Sequence, residues 1–243
     1  MAFARVGALT LETGENYLDS AVIDQPNGFV YFGTYTDPGR VAKIRLSDFT
    51  RLEPLTLPTG EGPLISAVID QPNGFAYFGT DTVPGKVIKV RLSDFTRVGA
   101  IILPTGEDNL WTGVIDQPNG FAYFGTYTAP GKVVKIRLSD FTRVGAITLE
   151  AGEDDLSSAA IDQPNGFAYF GTDTLPGGVV KIRLSDFTRL EAITLEAGED
   201  YLWSAAIDQP KGSAYFGTDT LPGRVIKVKL KAARYDHVLV MGM

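Results

Sequence analysis

Asp24, Asp70, Asp116, Asp162 and Asp208 stand at an unbroken spacing of 46 residues. Around each lies the phrase IDQPNGFAYFGT or a near copy, with Val30 in the first and Lys211 and Ser213 in the last. A chain with such a period cannot fold as a set of unrelated elements. Whatever one copy forms, its neighbours form in the same register, and units too small to bury a core alone must stack on one another. The register reaches back to Phe3–Ala8 (FARVGA against FTRVGA at 95–100) and forward to Leu230. Residues 1–230 are therefore read as one repeat domain. Residues 231–243, KAARYDHVLVMGM, match nothing in it and form a separate tail that could add a strand, plug a channel or stay disordered.

Inside one period the pattern predicts strands only. In the third copy, Leu110–Asp116 reads as a strand and Gln117–Gly120 as a turn, because Pro fixes φ and Asn-Gly accepts positive φ. Phe121–Thr126 is aromatic and β-prone. After a loop at 127–131, Lys132–Leu138 alternates, with Val134, Ile136 and Leu138 on one face. Thr142–Leu149 supplies a fourth strand. Four antiparallel strands in each 46-residue copy predict an all-β, five-bladed β-propeller. Leucine-rich repeats are shorter, and a β-helix has no use for four polar turns in each period. Residues 4–11 carry the fourth-strand pattern, and the last copy stops after its third strand, Arg224–Leu230. The expectation is that the first of these completes the last blade, closing the ring and removing two sheet edges.

The stretch VIDQPNGFAYFGT…PGKVVKIRLSDFTRVGAITL resembles the YVTN-type repeat of the WD40/NHL-like propeller class, over residues 1–230. The shared features are an Asp and a Pro before an Asx-Gly turn, an aromatic second strand, and an alternating third strand ending in a polar turn. This chain departs from the pattern in Gln25 and its equivalents, which separate Asp from Pro. The resemblance implies a binding platform with no shared chemistry, and an extracellular or cell-surface location.

Composition narrows the functions further. A net charge of −7 argues against nucleic acid or an anionic membrane as partner. The absence of cysteine excludes disulfides, zinc-thiolate sites and cysteine nucleophiles. The single histidine, His237, lies in the tail, which leaves no material for a Ser–His or His-metal site. No apolar run is long enough to span a membrane, and MAFARVGALT does not read as a signal peptide. No cofactor and no metal are expected, and the chain is expected to be a monomer.

Five copies in one register form an internal alignment. The Asp-Gln-Pro-Asn-Gly and Ser-Asp-Phe-Thr turns are constant, and an antiparallel blade places both at one end. The blade-to-blade link and the second-to-third-strand loop lie at the other end, and there the copies differ. One link position reads Tyr17, Pro63, Asn109, Asp155, Tyr201; two residues on it reads Asp19, Ile65, Trp111, Ser157, Trp203. A loop position reads Tyr35, Asp81, Tyr127, Asp173, Asp219. Binding residues concentrate on loops carried by a rigid scaffold. The candidate ligand-binding set is therefore Tyr17, Asp19, Tyr35, Trp111, Tyr127, Tyr201 and Trp203, at the mouth of the channel. Aromatics there suit a glycan or an extended polypeptide, and packing at the channel entrance is the competing role.

The repeated Asp is expected to cap its own turn through the backbone. Glu15, Glu61, Glu107, Glu153 and Glu199 are expected to form a solvated rim partly paired with Arg40, Lys86, Lys132 or Arg224, with an oxygen-ligated cation as the alternative. Lys135 and Arg137 and their equivalents are expected to pack their stems between blades and pair their heads. A structural scaffold without a specific ligand is the second functional reading. A glycosidase is the least favoured, because acidic residues repeated in every blade do not supply two contrasting carboxylate environments.

Overall fold

Turn chemistry decides where each strand stops. A computed structural model describes residues 3–230; the tail at 231–243, with His237, lies outside the described residues. Blade 1 holds β1 (Leu18–Asp24), β2 (Phe29–Thr34), β3 (Arg40–Arg45) and a fourth strand in two pieces, β4 (Thr50–Arg51) and β5 (Leu55–Thr56). Blade 2 holds β6 (Leu64–Asp70), β7 (Phe75–Thr80), β8 (Lys86–Arg91) and β9 (Thr96–Ile102). Blade 3 holds β10 (Leu110–Asp116), β11 (Phe121–Thr126), β12 (Lys132–Arg137) and β13 (Thr142–Thr148). Blade 4 holds β14 (Leu156–Asp162), β15 (Phe167–Thr172), β16 (Gly178–Arg183) and β17 (Thr188–Thr194). Blade 5 holds β18 (Leu202–Asp208), β19 (Ser213–Thr218) and β20 (Val225–Lys229). Each blade is an antiparallel meander. The first strands adjoin in the order β1, β6, β10, β14, β18, so they line the inner side of a propeller-like fan.

Blade 1 breaks its fourth strand at Pro54, which stands where blade 2 has Ala100 paired with Ile88. The proline ring holds φ near about −65°, short of the extended strand value, so pairing stops and resumes beyond it. The constant turns are held from within. Gly120 takes a φ of 72°, as the Asn-Gly signature requires. Asp116 is 2% exposed and accepts 2.8 Å from the Asn119 side-chain amide. The repeated Asp is thus structural; in blades 1 to 4 its partner is the Asn side chain rather than the expected backbone, while in blade 5 the Lys211 backbone amide donates to Asp208 at 3.3 Å. Neighbouring Gln117 donates its amide to the Ile69 carbonyl of the preceding blade at 3.2 Å. The residue that departs from the YVTN pattern is a tie between blades.

Apolar faces join the blades. Val68, Tyr77 and Val87 of blade 2 meet Phe124, Val134 and Ile136 of blade 3, with Leu103 and Leu110 between them. Ser66 adds a bond to the Leu110 carbonyl at 2.6 Å. Arg137 pairs with Asp140 at 3.0 Å, as its repeat position led one to expect. The adjacent lysine differs. Lys135 is 7% exposed, and its Nζ lies 4.0 Å from the ring centre of Phe121, 5.5 Å from Tyr123 and 5.3 Å from Phe187 of the next blade. The ring faces take the place of the expected carboxylate partner. Burial lowers the Lys135 pKa below the ordinary lysine value, partly opposed by Asp116.

The expected closing strand is not formed. Among the described residues, 3–12 take no strand pairing and the sheet of blade 5 has three strands. Leu9 and Leu11 instead line a cleft with Leu18, Phe32, Ile44 and Phe49, on the side of blade 1 that Leu55 and Leu57 occupy on blade 2. This part of the chain has the register of a fourth strand, but it does not pair with the sheet of blade 5. The two outer faces stay open: Phe3 is fully exposed, Val225 is 74% exposed and Ile23 50%.

Candidate functional site

The variable loops meet where the first strands begin. In blades 1 to 4 the loop position after the second strand alternates Tyr35, Asp81, Tyr127, Asp173. Each tyrosine bridges to the aspartate one blade on. The Tyr35 hydroxyl donates to Asp81 Oδ2 at 2.7 Å, and the Tyr127 hydroxyl donates to Asp173 Oδ2. A tryptophan then donates to the other oxygen of each carboxylate. Trp111 Nε1 reaches Asp81 Oδ1 at 3.1 Å, and Trp203 Nε1 reaches Asp173 Oδ1 at 2.8 Å. The unit Tyr–Asp–Trp therefore occurs twice, at a spacing of two blades.

The two units touch. The Trp111 ring stacks on Tyr127 with centroids 3.9 Å apart and an interplanar angle of 24°. It meets Trp203 edge-on, with centroids 6.3 Å apart at 84°. Trp111 and Trp203 come from blades 3 and 5. In blade 4 the same position is Ser157, which turns its hydroxyl to the Leu202 carbonyl at 2.9 Å. A small side chain there leaves room for the indoles to meet. Trp203 is 53% exposed and Tyr35 40%, while Trp111 and Tyr127 are half-buried.

Charge around the rings is negative. Burial raises the Tyr127 pKa, and the bond to Asp173 raises it further; the Tyr35 pKa is raised chiefly by its bond to Asp81. Both phenols stay protonated, as donors must. Burial also raises the Asp155 pKa, with Asp154 and Asp173 adding to the shift. Tyr17, Asn109, Asp155 and Tyr201 hold φ values of 50–54°, a region that favours Asn and Asp and costs energy for tyrosine. Blade 2 has Pro63 at this position, whose ring forbids that φ.

The structure thus brings Tyr35, Trp111, Tyr127 and Trp203 into one aromatic and carboxylate chain. Tyr201 sits beside it, with its carbonyl accepting from the Trp203 and Asp219 amides at 3.1 and 2.8 Å. Tyr17 and Asp19 stand at its edge, exposed; the Tyr17 carbonyl accepts from the Tyr35 amide at 2.7 Å. Asp81 and Asp173 were not among the expected site residues. Their signal was the alternation with tyrosine over two periods rather than one.

The glutamate rim is not solvated. Glu15, Glu61, Glu107 and Glu153 are buried and pair with Arg51, Arg97, Arg143 and Arg189 of the fourth strands; Arg143 Nε lies 2.7 Å from Glu107 Oε2. The expected partners face backbone instead, with Arg40 donating to the Thr13 carbonyl at 3.1 Å and Lys86 to that of Gly60. In blades 2 to 4 a bidentate arginine on a buried carboxylate fixes the link to its own blade, and in blade 1 Arg51 divides its bonds between Glu15 and Glu12.

No family model matches the chain, and no curated protein sequence matches it. Its structure is similar to the solved structure of U3-55K, a WD40 β-propeller, with a TM-score of 0.73 at 9% sequence identity. The match covers 90% of this chain and 63% of that one, so the chain spans less than two thirds of its neighbour. In all, 1223 solved chains match, which marks a widely used fold and carries no chemistry with it. The molecule has a β-propeller-like architecture built of repeated antiparallel sheets.

Proposed function

We propose that this protein is a non-enzymatic interaction module whose Trp111–Trp203 face receives an extended polypeptide segment. One observation carries the reading: the polar handles of the site are already committed. Both indole N–H groups and two tyrosine hydroxyls bond to Asp81 and Asp173. What the face offers a partner is ring surface with carboxylates beside it, which suits apolar and cationic side chains. A sugar needs free in-plane donors, and both indole N–H groups and both bridging tyrosine hydroxyls are spent. The propeller architecture supports the same reading, since such folds commonly serve protein interactions. A displayed random-peptide library and a glycan array, each probed with wild type and the Trp111→Ala/Trp203→Ala double variant, test it. The expected result is enrichment of peptides bearing Arg, Lys or aromatic residues that is lost in the variant. Glycan hits without peptide enrichment would overturn it.

The same proposal holds the ring at five blades, closed by residues 4–11 on β20. Three unmet partners support this. Among the described residues, Lys181 has Phe167 and Tyr169 rings at 4.3 and 6.0 Å but no third ring from a following blade. Counting periods round a five-bladed ring, Phe3 falls at that place, Phe49 at the matching place on Lys227, and Arg5 opposite Glu199. A closed ring would satisfy all of them with residues already in the repeat.

A further inference from the structure

One blade lacks a cation that the other four keep in the same place. At the start of the third strand stand Arg40, Lys86, Lys132 and Arg224, but blade 4 has Gly178. Each of these four side chains lies over the glycine of the preceding link. Arg40 donates to the Thr13 carbonyl at 3.1 Å, and its guanidinium carbon lies 2.8 Å from where a Cβ on Gly14 would stand. Lys86 Nζ donates to the Gly60 carbonyl. Lys132 Nζ and Arg224 NH2 lie 3.0 and 3.1 Å from the Cβ sites of Gly106 and Gly198. Over Gly152 there is open space.

That space is a cleft of about 700 Å³, lined by Glu150, Glu153, Asp154, Thr174, Gly178 and Arg189 among others. Three carboxylates face one guanidinium. Arg189 is spent on its pairs with Glu150 at 3.0 Å and with Glu153. The position of Glu150 is Pro58 and Pro104 in blades 2 and 3 and Glu12 and Glu196 in blades 1 and 5, so blade 4 alone has this acid without the cation. The loss has not closed the cleft, because the link is pinned independently: the Gly131 amide bonds to the Glu153 carbonyl at 2.9 Å, and the Asp155 amide to the Thr128 carbonyl at 2.9 Å.

We propose that the blade 4 cleft binds an alkylammonium group supplied from outside the chain, taking the position that Lys86 and Lys132 fill in their own blades. The acceptor is the Gly152 carbonyl, counterpart of the Gly60 carbonyl that receives Lys86. Glu150 and Asp154 supply the balancing charge, and the alkyl stem lies along Val180 and Ile193, which line the same cleft. Two sources share this chemistry, a free polyamine and a lysine side chain of a partner protein. The site lies apart from the Trp111–Trp203 face and does not depend on the reading given to it.

The control is built into the repeat. A Cβ on Gly178 would approach its neighbours no closer than 3.4 Å, so Gly178→Lys restores the pattern of blade 2 without a clash. The experiment is a backbone-amide NMR titration of the full chain with n-butylammonium, and with n-butanol as neutral control. The expected result is saturable shifts at Gly152, Thr174 and Gly178 with the amine alone, weakened about tenfold or more in Gly178→Lys. Absence of saturable shifts, equal response to n-butanol, or equal affinity in a folded Gly178→Lys would each overturn the proposal. Parallel titrations with spermidine and with a capped Gly-Lys-Gly peptide distinguish the sources, the tighter binder naming the natural one. Gly178→Ala, which adds one methyl and no charge, is expected to keep the amine response.

Discussion

A tyrosine in the second strand shows how one residue type can serve two roles in a single chain. Tyr127 and Tyr35 use their hydroxyls as donors at the mouth. Tyr31, Tyr77, Tyr123 and Tyr169 lie between blades, and their phenol oxygens are buried without a protein hydrogen bond. Burial, and secondarily Asp24, Asp70, Asp116 and Asp162, raises all four pKa values well above the ordinary phenol value. A pKa raised in the folded state means that the fold prefers the protonated form. This contribution to stability is complete below the unfolded-state phenol pKa, about 10, and is lost as pH rises beyond it. Tyrosinate absorbance and circular dichroism followed together should show these four phenols ionising only as the sheets melt. Their ionisation with the sheets intact would show that the phenols are not desolvated as described. The sequence made the aromatic strand plain. It did not reveal that FAYFGT places Tyr123 in a blade interface and Phe121 over Lys135, because period-two alternation marks faces without saying what lies on them.

At the scale of the element, strand limits were legible almost to the residue: Leu110–Asp116 and Phe121–Thr126 form as the turn chemistry predicts. Pro54 was equally visible, and its effect is the split of β4 from β5. Replacing it with alanine should free φ for the extended strand and restore the ladder bond between Glu53 and Lys43, which Gly99 and Lys89 make as a pair in blade 2. In Pro54→Ala, residues 50–56 should join into one strand on β3, stabilising the protein by about 0.5–1.5 kcal/mol, the usual net value of one such bond. Urea unfolding measures the gain, and hydrogen exchange at residues 52–55 shows whether pairing accompanies it. Unchanged exchange there would locate the break in Leu52 and Glu53 instead. The pairings of side chains between elements were not legible. Glu107 and Arg143 lie 36 residues apart on a link and a fourth strand, and nothing local links them. Their constancy in every copy looked like a rim because a repeat shows which positions are fixed, not which fixed positions meet.

For the whole molecule the question is what covers the two open faces. Blade 1 shows Ile23 and Phe49, and blade 5 shows Trp203 and Val225, although the same repeat positions are covered in the middle blades. Repeat arrays draw stability from interfaces between neighbours, so an end blade with one interface should open more readily than an inner one. Water-exposed apolar faces, and a β20 edge bare among the described residues, favour covering, and two candidates follow from the repeat register: residues 4–11 of the same chain, or a second copy joined head to tail. Either would give Lys181 its third ring, Lys227 its second and Glu199 its arginine in one move, and the first does so without the cost of association. Amide exchange across a range of protein concentrations separates the two. Self-closure is unimolecular, so residues 5–10 and β20 should be protected to the same degree at every concentration, and blade 5 should exchange as slowly as blade 3. Protection that grows with concentration would mean that a second copy covers the faces. Fast exchange in both segments at all concentrations would leave an open fan, with blade 5 the first to unfold.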